Sequence, residues 1–187
     1  MLFLMSRGLN LNDILQPVRT TPIQAYFGHG LHTLGLLAWL LPQTGAADVW
    51  VSSYSTSEPF LNGFGLQKRR SMVRESVMLL DQRAARKTLK LEMLMTNAFD
   101  HVFLGQNHSK LLLVKSRDMK VSVVTSQNQT YGDRAESTII TTDGAVFDVL
   151  MSQFIDMCGS AAVEIDLDSG RGIITESGAA GTTAADS

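Results

Sequence analysis

His108, Lys110, Ser126, Asn128 and Glu136 fall within one short stretch of the chain. An imidazole is a nucleophile and a base. An ammonium neutralises anionic oxygens, a hydroxyl and a carboxamide orient them, and a carboxylate accepts a proton. That set suits displacement at phosphorus in a phosphodiester.

Two apolar runs must position these groups. Residues 111–114 follow His108-Ser109-Lys110, and residues 121–125 precede Ser126-Gln127-Asn128. Both read as short buried strands. Side chains on a strand alternate between faces, so His108 and Lys110 share one face, and Ser126 and Asn128 can share another. If the two strands pair, the groups meet at one sheet end.

The surrounding chain reads as alternating helices and strands. A helix is expected over 24–41, apolar nearly all round and stopped by Pro42-Gln43-Thr44-Gly45. Residues 48–53, with Val49, Trp50 and Val51, form the first expected core strand. Ser57-Glu58-Pro59 opens a short helix over 60–66. Residues 71–87 are expected as an amphipathic helix with Val73, Val77 and Leu80 on one face. Residues 88–96 alternate like a strand, and residues 101–104 lead through Gly105-Gln106-Asn107 to His108. Strands are expected at 137–141 and 163–167. Between them a helix capped by Thr142 or Asp143 runs through Met157, burying Val146, Phe147, Leu150, Phe154 and Ile155. The alternation argues an α/β layered domain.

The order H-x-K, apolar strand, S-x-N, acid resembles the signature of the phospholipase D superfamily. It reads His108-Ser109-Lys110, then Leu-Leu-Leu-Val, then Thr125-Ser126-Gln127-Asn128, then Glu136. H-x-K alone recurs by chance, but its combination with S-x-N at this separation is considerably more specific. The resemblance spans about residues 47–157. Two positions depart from it: Lys115 stands where the family has an acid, with Asp118 nearby, and Thr125 stands where it has glycine.

The resemblance implies a layered mixed β-sheet flanked by helices, and a metal-independent phosphodiesterase needing no cofactor. It gives His108 the nucleophile's role, through a phosphohistidine that splits one displacement into two. Lys110 would neutralise phosphoryl oxygens, Asn128 would donate to them, and Ser126 would orient the phosphate or a site side chain. Glu136 would accept from His108 Nδ1 and fix its tautomer, with Asp133 a weaker candidate. The family's reaction uses two histidines and this chain has one H-x-K. A twofold homodimer with a shared site is therefore expected. A small single-motif chain resembles the dimeric nucleases more than the large lipid enzymes.

A chain of 187 residues, 44% of them hydrophobic, suits one domain with a tail. The expected division is a helical segment over 1–46 packed on the core, the phosphodiesterase domain over 47–168, and a flexible tail over 169–187. A net charge of −2 gives no global attraction to polyanions. Locally, however, Lys68, Arg69, Arg70, Arg74, Arg83, Arg86, Lys87 and Lys90 gather against Glu75 and Asp81. Either this is a solvated helix face or a track for a phosphate backbone, with Arg83, Arg86 and Lys87 as the nucleic-acid-binding candidates. Nucleic acid is the expected partner, DNA ahead of RNA. Two alternatives stay open: an inactive nucleic-acid-binding or assembly module, and a phosphodiesterase on phospholipid or a small diester.

The single cysteine, Cys158, excludes an intrachain disulfide and fits a reducing compartment. It is read as a small buried residue on an apolar helix face. The apolar start lacks a basic n-region, and residues 31–41 are too few to cross a bilayer, so a cytoplasmic protein with no membrane partner is expected. His29 and His32 have metal-ligand spacing on the expected helix but no third ligand nearby, so packing or capping is expected of them. Gly28, Gly30 and Gly35 lack phosphate-loop spacing.

Overall fold

Residues 9–84, 91–130, 134–160 and 162–165 are described by the computed structural model. In chain order the elements are α1 (Leu11–Ile14), β1 (Ile23–Gly28), α2 (Thr33–Thr44), β2 (Ala47–Ser53), α3 (Glu58–Arg69), β3 (Val73–Asp81), a 3-10 turn (Gln82–Ala84), α4 (Glu92–Ala98), β4 (His101–Gly105), β5 (Leu111–Lys115), β6 (Lys120–Thr125), β7 (Glu136–Thr141), α5 (Gly144–Ser160) and β8 (Ala162–Glu164). The strands form one mixed sheet in the order β1-β7-β6-β5-β2-β3-β4-β8. β2, β3 and β4 run parallel. The other pairings are antiparallel. This is the layered mixed α/β sheet that the element pattern called for.

Residues facing each other across a ladder share a sheet face, so the register divides the core in two. Val49, Val51, Met78, Leu80, Leu112, Val114, Val121, Val123 and Ile140 line one face and pack with α2, α3 and α4. Phe64 and Phe99 stack there at 4.2 Å between ring centroids, both buried. Truncating either ring costs about 3–5 kcal/mol. The other face carries Trp50, Val77, Leu79, Phe103 and Leu111 and is covered by α5 through Phe154 and Met157. Phe147 meets Trp50 edge-on at 6.5 Å. α5 crosses from β6 toward β8.

Three expectations are corrected by this architecture. Residues 24–41 are not one helix: Ile23–Gly28 form the sheet's edge strand, and α2 begins only at Thr33. Gly30, at φ +84°, turns the chain between them. His29 and His32 therefore flank this turn instead of sharing a helix face. Residues 73–81 form β3, not a helix. A parallel strand covered on both faces reads as a continuous apolar run, and its Val73, Val77 and Leu80 happen to match a helical stripe. Residues 92–98 form α4, not a strand. Leu91, Leu94, Met95 and Ala98 turn inward at helical spacing, and leucine, methionine and alanine are helix formers.

The remaining elements follow their local signals. Ser57 caps α3, its hydroxyl accepting from Phe60 N, with Pro59 in the first turn. Asp143 Oδ1 accepts from Ala145 N and Val146 N at the start of α5. α2 runs through Pro42 to Thr44 and ends at Gly45, at φ +80°. Among the described residues, no helix is long and apolar enough to cross a membrane.

Candidate active site

The parallel block β2-β3-β4 ends at one edge of the sheet. The antiparallel pairings bring the start of β5, the end of β6, the start of β7 and the end of β1 to the same edge. His108 stands just before β5, exposed to solvent. Thr125 N donates to Lys110 O at 3.1 Å, carrying the β5–β6 ladder one step beyond the Leu111↔Val124 pair. Ser126 N donates to Ser137 O, and Ser137 N to Ser126 Oγ, both at 3.0 Å. The Ser126 hydroxyl in turn donates to the Glu136 carboxylate.

Lys110 Nζ lies 3.1 Å from His108 Nδ1 and 2.6 Å from His108 O. Burial lowers the Lys110 ammonium below its ordinary value, while the negative charge of Glu136 acts against that shift. The Tyr54 ring packs against the His108 imidazole, 5.3 Å between centroids at 57°. His108, Lys110, Ser126 and Glu136 thus share one sheet end. The expected hydrogen bond from His108 Nδ1 to Glu136 is not formed: Lys110 Nζ lies against His108 Nδ1, and Glu136 accepts from the Ser126 hydroxyl. Asn128 sits deeper. It lines a small cavity with Thr33, Ser57 and Phe60, and its Oδ1 is buried without a partner.

Sequence reasoning missed the residues that hold His108 in place. Asn107 is buried, and its Nδ2 donates to Ser52 Oγ at 2.8 Å, Leu79 O at 3.1 Å and Ser53 O at 3.2 Å. Its Oδ1 accepts from Ser109 N at 3.0 Å and Ser109 Oγ at 2.7 Å. Its backbone N–H donates to the buried Asp81 carboxylate at 2.9 Å. Ser52 and Ser109 also share a hydroxyl contact. One carboxamide therefore ties the ends of β2 and β3 to both neighbours of His108. In sequence it looks like a loop asparagine; its place directly before the H-x-K histidine is the only available clue.

Gln127, the variable position of S-x-N, also has a fixed task. Its Oε1 accepts from Thr33 N at 3.2 Å, and its Nε2 donates to His32 Nδ1 at 2.8 Å. His32 occupies the N-cap of α2 without a side-chain cap bond of its own, so Gln127 supplies the cap from across the fold. α2 and α3 both start at this edge, directing their N-terminal dipoles toward the site.

The departures at Lys115 and Thr125 leave this geometry intact. Lys115 ends β5 at the far side of the sheet, roughly 17 Å from Lys110 at about 3.4 Å per residue. Asp118 lies in the far turn as well. Thr125 has no positive φ that would demand glycine, and its Oγ1 accepts from Gln127 N at 3.2 Å.

The basic segment does not form one helix face. Lys68 pairs with Asp100 at 2.6 Å, and Arg74 holds Asp48 through two bonds of 3.0 Å, both at the far edge. Arg83 is exposed in the 3-10 turn at the site edge, its N–H bound to Asp81 Oδ1 at 2.8 Å. Arg86, Lys87 and Asp133 lie outside the described residues. Burial, with Glu164, pushes the half-buried Cys158 thiol up to about 12.

No protein-family profile matches this sequence, and no curated protein matches it. Its likeness to solved structures lies in the backbone. Nuc of Salmonella typhimurium, described as a phospholipase D family member, aligns with a TM-score of 0.58 at 14% identity, over 74% of this chain and 96% of that one. NucT from Helicobacter pylori aligns with a TM-score of 0.55 at 15% identity, over 74% and 98%. Polyphosphate kinase from Porphyromonas gingivalis gives 0.57 at 12% identity, over 83% of this chain and 30% of that enzyme.

Proposed function

The chain has the phospholipase D fold, and from that premise we propose that it is a metal-independent phosphodiesterase, a nuclease that cleaves DNA or RNA at a site shared by two chains. The observation that carries this reading is the meeting of His108, Lys110, Ser126 and Glu136 at the carboxyl end of the parallel block. Exposed Arg83 at the same edge supports a polyanionic substrate.

The Lys110 ammonium donates to His108 Nδ1. A substrate phosphate draws Lys110 onto its oxygens and releases that nitrogen. The imidazole then attacks phosphorus, a P–N bond forms, and the P–O bond to the leaving strand breaks. The leaving oxygen takes a proton from the second copy's histidine. Water next attacks the phosphohistidine while the second copy's histidine takes its proton; the P–N bond breaks, the phosphorylated strand leaves, and both histidines are restored. Lys110 and the Asn128 carboxamide stabilise the charge on the phosphoryl oxygens during both displacements.

An uncovered sheet face supports the second copy. α5 leaves β6, β7 and β1 partly bare, where Val124, Ile139, Ile23 and Phe27 are exposed on one face. The outer side of α5 exposes Val146, Val149 and Ile155 among Asp148, Ser152, Gln153 and Asp156, so Val146 and Ile155 leave the buried stripe expected of them. In this reading the helix of one copy seats against the bare strands of the other across a twofold axis. The gap begins at Val124, opposite Leu111, beside the site.

Cleavage of single- and double-stranded DNA and RNA in excess EDTA, by wild type and His108→Ala together, tests the reading. Cleavage by wild type alone is expected. Equal cleavage by both proteins refutes the assignment of His108, and none by wild type refutes the nuclease.

A further inference from the structure

Between the N-termini of α2 and α3 lies a cavity of about 20 Å³, bounded by Thr33, Ser57, Phe60, Gln127, Asn128 and Gln129 among others. A single water needs about 10–15 Å³ of such space and at least two polar partners. The wall provides them. Gln129 is only 6% exposed, and neither its Nε2 nor its Oε1 has a hydrogen-bond partner. The adjoining Asn128 Oδ1 is buried and unpartnered in the same wall. Buried polar atoms in folded proteins are almost always satisfied, by protein or by internal water.

The backbone of Gln129 is fixed from both sides. Its N–H donates to Ser53 Oγ at 3.3 Å, and its carbonyl accepts from Ser57 Oγ at 2.8 Å. Its side chain therefore enters the cavity from an anchored position, with no protein group taking either end of the amide. Neither the family resemblance nor the S-x-N pattern gives this residue a task.

We propose that the cavity is a built site for one water, through which Gln129 acts as a positioning residue for Asn128. The water accepts from Gln129 Nε2 and donates to Asn128 Oδ1. With its oxygen held inward, the Asn128 carboxamide presents its N–H groups to the phosphate. The inference rests on the reading of Asn128 as a phosphate donor, and it extends the site one layer deeper than the signature residues.

Gln129→Met, close to Gln in shape but without the amide, is the test. The variant is expected to stay folded with a melting temperature within a few degrees of wild type, because Met keeps the volume and the change removes one water-mediated hydrogen bond. Its kcat is expected to fall about tenfold to a hundredfold with KM little changed, since the misaligned group acts in the transition state. In an Asn128→Ala background the same change should cost nothing further, which a general packing role would not reproduce. An unchanged kcat, or equal losses in both backgrounds, overturns the proposal. High-resolution crystal structures of wild type and Gln129→Met provide a readout independent of turnover. A water bridging Gln129 Nε2 and Asn128 Oδ1, with a rotated Asn128 in the variant, supports the inference even if wild type cleaves nothing, in which case only the nuclease reading falls. A dry cavity in wild type overturns it.

Discussion

The Asp81 carboxylate accepts the backbone N–H of Asn107 at 2.9 Å, linking the end of β3 to the residue that precedes His108. Asn107 spreads that link to β2 through its own carboxamide. Asn107→Ala is therefore expected to cost about 2–3 kcal/mol in stability, since it strands buried acceptors at Leu79 and Ser53. Urea unfolding measures that loss. Turnover measured well below the unfolding range should still fall more than tenfold, because His108 loses its anchor. Wild-type turnover in the variant would show that the network serves the fold alone.

Lys110 is expected to set the alkaline limit of activity. Burial lowers its ammonium from the ordinary 10.5, and Glu136 partly restores it. If catalysis needs the charged form, kcat/KM should decline at a pH below the usual lysine range. A cation that loses a neighbouring negative charge gives up its proton more easily, so Glu136→Gln should move this limb to still lower pH. A pH–rate profile of both proteins checks the sign. An upward shift in the variant contradicts the coupling.

The bare strands beside α5 are expected to seat a second copy. Phe27 is 79% exposed and Ile139 51%, so Phe27→Glu and Ile139→Lys leave the core alone and change monomer stability by about 0.5 kcal/mol or less. Sedimentation should show a wild-type dimer and a variant monomer, with activity lost in step. A fully active monomer rules out the shared site.

Cys158 is expected to be chemically quiet. With its thiol at about 12 against an ordinary 9.0, it carries about a thousandfold less thiolate than a peptide cysteine at pH 8. Iodoacetamide labelling, compared with a free thiol peptide, measures this. Labelling at the peptide's rate would mean that the thiol reaches solvent.

The legible parts of this fold are those whose signals are local. Leu111–Lys115 and Lys120–Thr125 are short apolar runs with polar ends, so both strands and the groups beside them could be placed from sequence. Val73–Asp81 is a strand with the sequence look of a helix, because a doubly covered parallel strand loses the alternation that marks a half-buried one. Glu92–Ala98 departs in the opposite sense, since Leu89, Leu91 and Met93 alternate with Lys90 and Glu92 up to Leu94, while the residues from Glu92 on belong to a helix. The support of His108 was hidden for a different reason. Asn107 finds Ser52 and Leu79 only after distant strands have paired, and no spacing in the chain announces that meeting. The contact of Lys110 with His108 Nδ1 is likewise a matter of side-chain geometry, which a motif does not specify.

Because Gln127 caps α2 through the Thr33 amide, the loop that carries Ser126 and Asn128 is tied to the first turn of the first long helix. A phosphate analogue that stiffens the loop should then slow deuterium uptake at the amide of Thr33, far away in sequence. Amide exchange in the N-terminal third of the chain thereby becomes a reporter of occupancy at a site contributed by its second half.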